Sequence, residues 1–132
     1  MPENNMKFQP MPKRFMVWDK KERYFCYNHD GSHIFNMRDL AVFFVNKAID
    51  GVPYGQFELV QSTNLFDKEG KEIFEGGIID YNGDGSALGV VVGEDGEWHL
   101  KDKNGNLMFL KGAPHQKLVG HILSNPELLE EQ

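Results

Sequence analysis

The chain has 132 residues, of which 14 are Lys or Arg and 20 are Asp or Glu, for a formal net charge of −6. That size suits one domain or two small subdomains, and 40% hydrophobic with 26% charged residues is a globular balance, which argues against a disordered tail or a membrane protein. The charge is uneven: residues 1–50 carry eight basic and six acidic side chains, residues 51–132 six and fourteen, so the second half repels phosphate.

Cys26 is the only cysteine, which excludes an intrachain disulfide and a multi-Cys zinc site and fits a reducing cytoplasm. Residues 1–12 contain three prolines and two asparagines without an apolar run. They read as a flexible arm that could pack on a neighbour, and they lack the core of a secretory signal. The longest apolar run, Leu40 to Val45, is six residues, against the roughly 20 that a membrane-spanning helix needs.

In chain order, Phe15-Met16-Val17-Trp18 and Tyr24-Phe25-Cys26-Tyr27 flank the charged turn Asp19 to Arg23 and predict a hairpin. Asn28 to Ser32 is turn chemistry, and His33-Ile34-Phe35 forms a third short strand. Asn36 is placed to cap a helix starting at Met37, with Asp39 near the positive end of its dipole. Met37, Leu40, Ala41, Phe44 and Ala48 then share one face, while the β-prone Val42-Phe43-Phe44-Val45 leaves a buried strand as the competing reading.

From Gln56 onward, strand-sized runs follow one another: Phe57 to Gln61, Ile78 to Tyr81, Leu88 to Val92, Glu97 to Lys101, Leu107 to Leu110 and Leu118 to Leu123. Turns containing Gly70, Gly83, Gly85, Gly96 and Gly105 separate them as a meander of hairpins requires. Asn125-Pro126-Glu127 opens a short terminal helix with Leu128 and Leu129. The expected fold is mainly β (α+β). An arm at 1–12 precedes a small β/α part at 13–62, and residues 63–132 form an SH3-like or similar small β-barrel ending in that helix.

Few groups point to chemistry. Asp80-Tyr81-Asn82-Gly83-Asp84-Gly85 matches the start of a calcium loop, but Val91 stands where the bidentate carboxylate belongs, so a glycine-rich hairpin loop is the better reading. His29 and His33 have metal-ligand spacing only on a helix, which Gly31 and Ser32 oppose. His99, His115 and His121 are scattered singly, and Cys26 between aromatics reads as an inert small hydrophobe. No nucleophile elbow, phosphate-cradling loop or dinucleotide fingerprint is present. Trp18, Tyr24, Phe25, Tyr27, Phe35 and Phe44 are expected in the core rather than on a base-stacking platform. No cofactor or metal is expected. Lys13, Arg14, Lys20, Lys21 and Arg23 form the one basic cluster, interrupted by Asp19 and Glu22, and read as strand ends and a hairpin turn.

Three segments resemble the YopX family of small proteins encoded by bacteriophages and prophages: Lys13 to Lys20 (KRFMVWDK), Thr63 to Ile78 (TNLFDKEGKEIFEGGI) and Val119 to Leu129 (VGHILSNPELL). Two positions depart from the family pattern, Asn64 standing for a glycine and Gly77 for an aspartate. In the central segment Asp67 to Gly70 reads as a turn, Ile73 and Phe74 as core anchors, and Gly76-Gly77 as a sharp bend into the next strand. The resemblance implies a mainly β protein that assembles into oligomers, and it supplies no catalytic residue.

The leading expectation is therefore a non-enzymatic phage or prophage accessory protein in the host bacterial cytoplasm. It would act as a self-associating module for a host or phage protein, with Lys13, Arg14, Lys20, Lys21, Leu128 and Leu129 as candidate interaction residues. The alternative is a nucleic-acid-binding regulator built on the small barrel, although the acidic balance argues against nucleic acid as a partner.

Overall fold

The computed structural model describes residues 13–111 and 116–130; the arm expected at 1–12 and His115 lie outside them. Two antiparallel sheets make up the fold. In the first, β1 (Arg14–Asp19) pairs along its length with β4 (Phe57–Phe66), Phe15 opposite Gln61 and Asp19 opposite Phe57. The other edge of β1 is shared by β2 (Tyr24–Phe25) at the Trp18–Asp19 end and β3 (Phe35–Asn36) at the Arg14–Phe15 end. β5 (Glu72–Phe74) pairs with β4. The second sheet has the order β10 (Lys117–His121), β6 (Gly77–Asp80), β7 (Leu88–Glu94), β8 (Glu97–Lys101), β9 (Leu107–Phe109). It curls into a half-barrel, and among the described residues no ladder joins β9 to β10.

The helical reading of the apolar stretch after Asn36 holds: α1 spans Met37–Ile49, and the Asn36 carboxamide oxygen accepts from the Asp39 N–H at 2.8 Å. Its core face differs from the expected one. Leu40, Phe43 and Phe44 pack on Phe35 and Phe57, whereas Met37, Ala41 and Ala48 are exposed. The reason is rotational: positions 40, 43, 44 and 47 face β1 and β4, and the Lys47 ammonium sits 5.3 Å above the Phe43 ring. Tyr24 and Tyr27, expected in the core, are exposed, because the β1–β2 ladder is only two residues long. The strand β5 was not legible as a separate run, since Ile73 and Phe74 are its only apolar residues.

Two hydrophobic clusters result. Val17, Cys26, Phe35, Leu40 and Phe57 lie under α1, and Ile73, Ile79, Val91, Leu100 and Leu110 lie inside the half-barrel. The strand β4 runs unbroken past position 62, and its partner β5 contributes Ile73 to the second cluster. The halves are thus joined by shared backbone as well as by contact. Within β4 the register shifts at Thr63-Asn64, and Asn64 adopts φ +62°. Glycine occupies that left-handed region freely and asparagine tolerates it better than most residues, so the departure from the family glycine preserves the bulge. At Gly77 an added Cβ would lie 3.0 Å from the Phe74 carbonyl and 3.1 Å from Leu118 Cδ1. That place is tightly packed and offers no site for a carboxylate.

Asp67 braces the two sheets. Only 1% exposed, it accepts from Glu69 N–H (2.9 Å) and Lys71 N–H (2.8 Å) on Oδ1, closing the β4–β5 turn, and from Leu118 N–H of β10 (2.9 Å) on Oδ2. Burial pushes its carboxyl upward, but the bonds from Leu118, Lys71 and Glu69 together outweigh this and hold it below the usual carboxylate range. The stability it contributes is present above the unfolded-state carboxylate pKa and is lost as pH falls through the lower folded-state value.

His121 forms the second junction. It is 6% exposed, its ring meets Phe25 of the first sheet edge-on at 5.1 Å, and Nε2 lies 2.8 Å from the Glu75 carbonyl. Because the Leu123 N–H can only donate, Nδ1 is the acceptor and Nε2 carries the proton, so the ring is neutral. A Cβ at Gly76, whose φ is +86°, would fall 2.7 Å from the imidazole, so only glycine fits beneath it. Burial pushes the His121 pKa down, against the Glu75 carbonyl and the Glu58 charge, which raise it.

Urea denaturation tests the brace. Asp67→Asn should lose about 2 kcal/mol, because its amide turns a donor toward the Leu118 N–H, and Asp67→Ala about 3 kcal/mol or more. Equal stability of Asp67→Asn and wild type would contradict this role. For His121 the neutral ring contributes fully above the unfolded-state pKa of about 6.5 and progressively less below it. Thermal unfolding of wild type should therefore fall off below pH 6.5 more steeply than that of His121→Gln, and parallel curves would count against the assignment.

Candidate interaction surface

The basic residues singled out in the sequence do not form one patch. Lys13 precedes β1 and Arg14 opens it, while Lys20 and Lys21 follow its end, a separation of about 20 Å at roughly 3.3 Å per strand residue. Arg14 is already engaged, its guanidinium donating to both Glu72 carboxylate oxygens at 3.0–3.2 Å while Ser62 Oγ donates to the same carboxylate at 2.6 Å. Lys20 and Lys21 lie in the β1–β2 turn beside Asp19, whose buried carboxylate accepts from the Lys21 and Glu22 N–H groups and from Gln56 Nε2. Leu128 and Leu129, in the short α2 (Glu127–Glu130), are half-buried on their own sheet. A Cβ on Gly120 would sit 2.7 Å from Leu128 Cδ1, so glycine at that point of β10 admits the leucine.

The groups with chemical potential are likewise engaged within the chain. Asp80 accepts from the Gly83 and Gly85 N–H groups and Asp84 from Ser86, so the calcium-like loop is the connection between β6 and β7, and Val91 lies in the core. The Ser86 hydroxyl and N–H hold the Asp84 carboxyl below its ordinary pKa. His29 approaches Asp39 at 3.5 Å, whereas His33 stacks on Tyr27 and bonds the Cys26 carbonyl, so the two imidazoles serve different neighbours. His99 stacks on Phe109 at 5.7 Å. Burial pushes the Cys26 thiol pKa up, which disfavours a thiolate. Among the described residues no three His, Cys, Asp or Glu side chains are grouped to hold a metal.

The surface feature that the sequence reading missed is apolar. Val42, Val45 and Ile49 of α1 face solvent, Val45 59% and Ile49 76% exposed. Beyond the last turn of α1, Phe44, Ala48, Val52, Pro53, Tyr54 and Leu59 line a groove of about 660 Å³, with Tyr54 80% exposed at its rim. The signal was present in the spacing: Arg38, Val42, Val45 and Ile49 form an i, i+4, i+7, i+11 stripe opposite Leu40, Phe43 and Phe44. A second groove of about 670 Å³ lies between the sheets, lined by Met16, Phe74 and Leu118 and by Glu72, His121 and Asn125, whose side chains all bond within the chain. Among the described residues no helix is long and apolar enough to cross a membrane.

Comparison with solved structures finds the same fold, as in the following two. Protein EF1440 from Enterococcus faecalis superposes with a TM-score of 0.55 at 18% identity, over 91% of this chain and 99% of that one. Protein yopX from Bacillus subtilis superposes with a TM-score of 0.50 at 14% identity, over 90% and 99%. No curated protein sequence matches the chain. The family model described as YopX protein matches residues 14–130, from the first residue of β1 to the last of α2, and the chain belongs to that family.

Proposed function

We propose that the protein is a non-enzymatic accessory module that associates with itself and presents a protein-binding surface, in the phage or prophage setting that the YopX resemblance implies. The supporting observation is the solvent-facing apolar stripe on α1 and the apolar groove at its end, a composition that suits the core of an interface. The candidate catalytic groups support the same reading, since Asp67, Asp80, Glu72 and His121 all spend their polar atoms on the fold. The acidic net charge, with Arg14 neutralised by Glu72, does not favour the nucleic-acid alternative.

Light scattering coupled to size-exclusion chromatography, run from low to high micromolar protein, is expected to show a species heavier than 15.1 kDa that persists at high salt. A monomer throughout would overturn the self-association reading. Val45→Lys is expected to drive the equilibrium to monomer with an unchanged circular dichroism spectrum, because the position touches no core cluster.

A further inference from the structure

The outer face of α1 breaks two local rules at once. Valine and isoleucine lose rotamer freedom in a helix, and Val42, Val45 and Ile49 leave more than half of their surface in solvent. The charges beside them are also misplaced for a lone helix. Arg38 sits in the first turn, at the positive end of the dipole, and Asp50 is the C-cap, at the negative end. The other two end charges, Asp39 and Lys47, follow the rule and have partners: Asp39 accepts from Asn28, and Lys47 lies over Phe43 and Phe57. Among the described residues neither Arg38 nor Asp50 has an ion-pair partner.

We propose that this face binds the same face of a second copy of the chain, the two α1 helices running antiparallel across a twofold axis between Val42 and Val45. The inference rests on the self-association reading above and assigns its interface. The face is self-complementary: when one helix is reversed, Val42 meets Val45, Ile49 covers the aliphatic stem of Arg38, and the Arg38 guanidinium reaches toward Asp50 of the second copy. Each misplaced charge then lies against an opposite charge, and the two dipoles oppose one another. A helix of 13 residues is about 20 Å long, so the interface is at the small end of its class and the affinity is expected in the micromolar range.

Sedimentation velocity on wild type, Arg38→Asp, Asp50→Arg, the double variant and an equimolar mixture of the two single variants tests the geometry. Each single variant should weaken association by about tenfold, through two like-charge contacts per dimer. Each should also leave thermal stability of the monomer unchanged or raised, since the new charge suits the dipole. The double variant and the mixture should both restore association, because each recreates opposite charges across the axis. A wild type that stays monomeric overturns this proposal together with the reading beneath it. A wild type that associates, with no response to the charge variants or to Val45→Lys, overturns the helix pairing alone.

Discussion

A single buried carboxylate holds the architecture in register. Asp67 closes the turn between β4 and β5 with one oxygen and takes the N–H of Leu118 in β10 with the other, tying positions 51 residues apart. A charge with 1% exposure is tolerated because three backbone donors replace its water. The same bonds fix where β10 begins against β6, and therefore where the curl of the second sheet starts. Lys68 N–H, bonded to the Gln116 carbonyl at 3.0 Å, reinforces the connection one residue later.

The second junction depends on a pair of residue types rather than on a charge. Gly76 lacks the Cβ that would collide with His121, and the neutral imidazole fills that space while bonding Glu75 and Leu123. Phe25 then packs on the ring edge, and Trp18 packs on Phe25 at 4.8 Å, so the contact runs from the half-barrel into the first sheet. Polar groups placed this way are structural. No buried side-chain nitrogen or oxygen among the described residues is left without a partner, as expected of a scaffold whose polar interior is spent on bracing.

The outer face of α1 is the least expected part of the surface. Leu40, Phe43 and Phe44 anchor the helix to the first core, which would suffice to hold it. The outward valines and isoleucine lie outside the core clusters and are more than half exposed, and their branched side chains disfavour the helix in isolation. An apolar stripe that weakens its own element is a local inconsistency, which the proposed pairing of two copies would resolve.

Local chemistry was legible from the residues alone. The Asn36 cap, the β1–β2 hairpin, the glycine turns at Gly70, Gly83, Gly85, Gly96 and Gly105 and the alternating strand Glu97–Lys101 depend on neighbours within a few positions, and each is found where the sequence puts it. For residues 37–48 a short apolar run fits both helix, the preferred reading, and buried strand, and the packing of Phe43 and Phe44 on Phe57 accompanies the helix that is found. The brace of Asp67 to Leu118, the Gly76–His121 fit, the Arg14–Glu72 pair and the exposure of Val42, Val45 and Ile49 belong to the tertiary structure. Each joins or separates residues far apart in the chain, and which face of a two-sided apolar helix turns inward is set by the sheet that meets it, not by the helix itself.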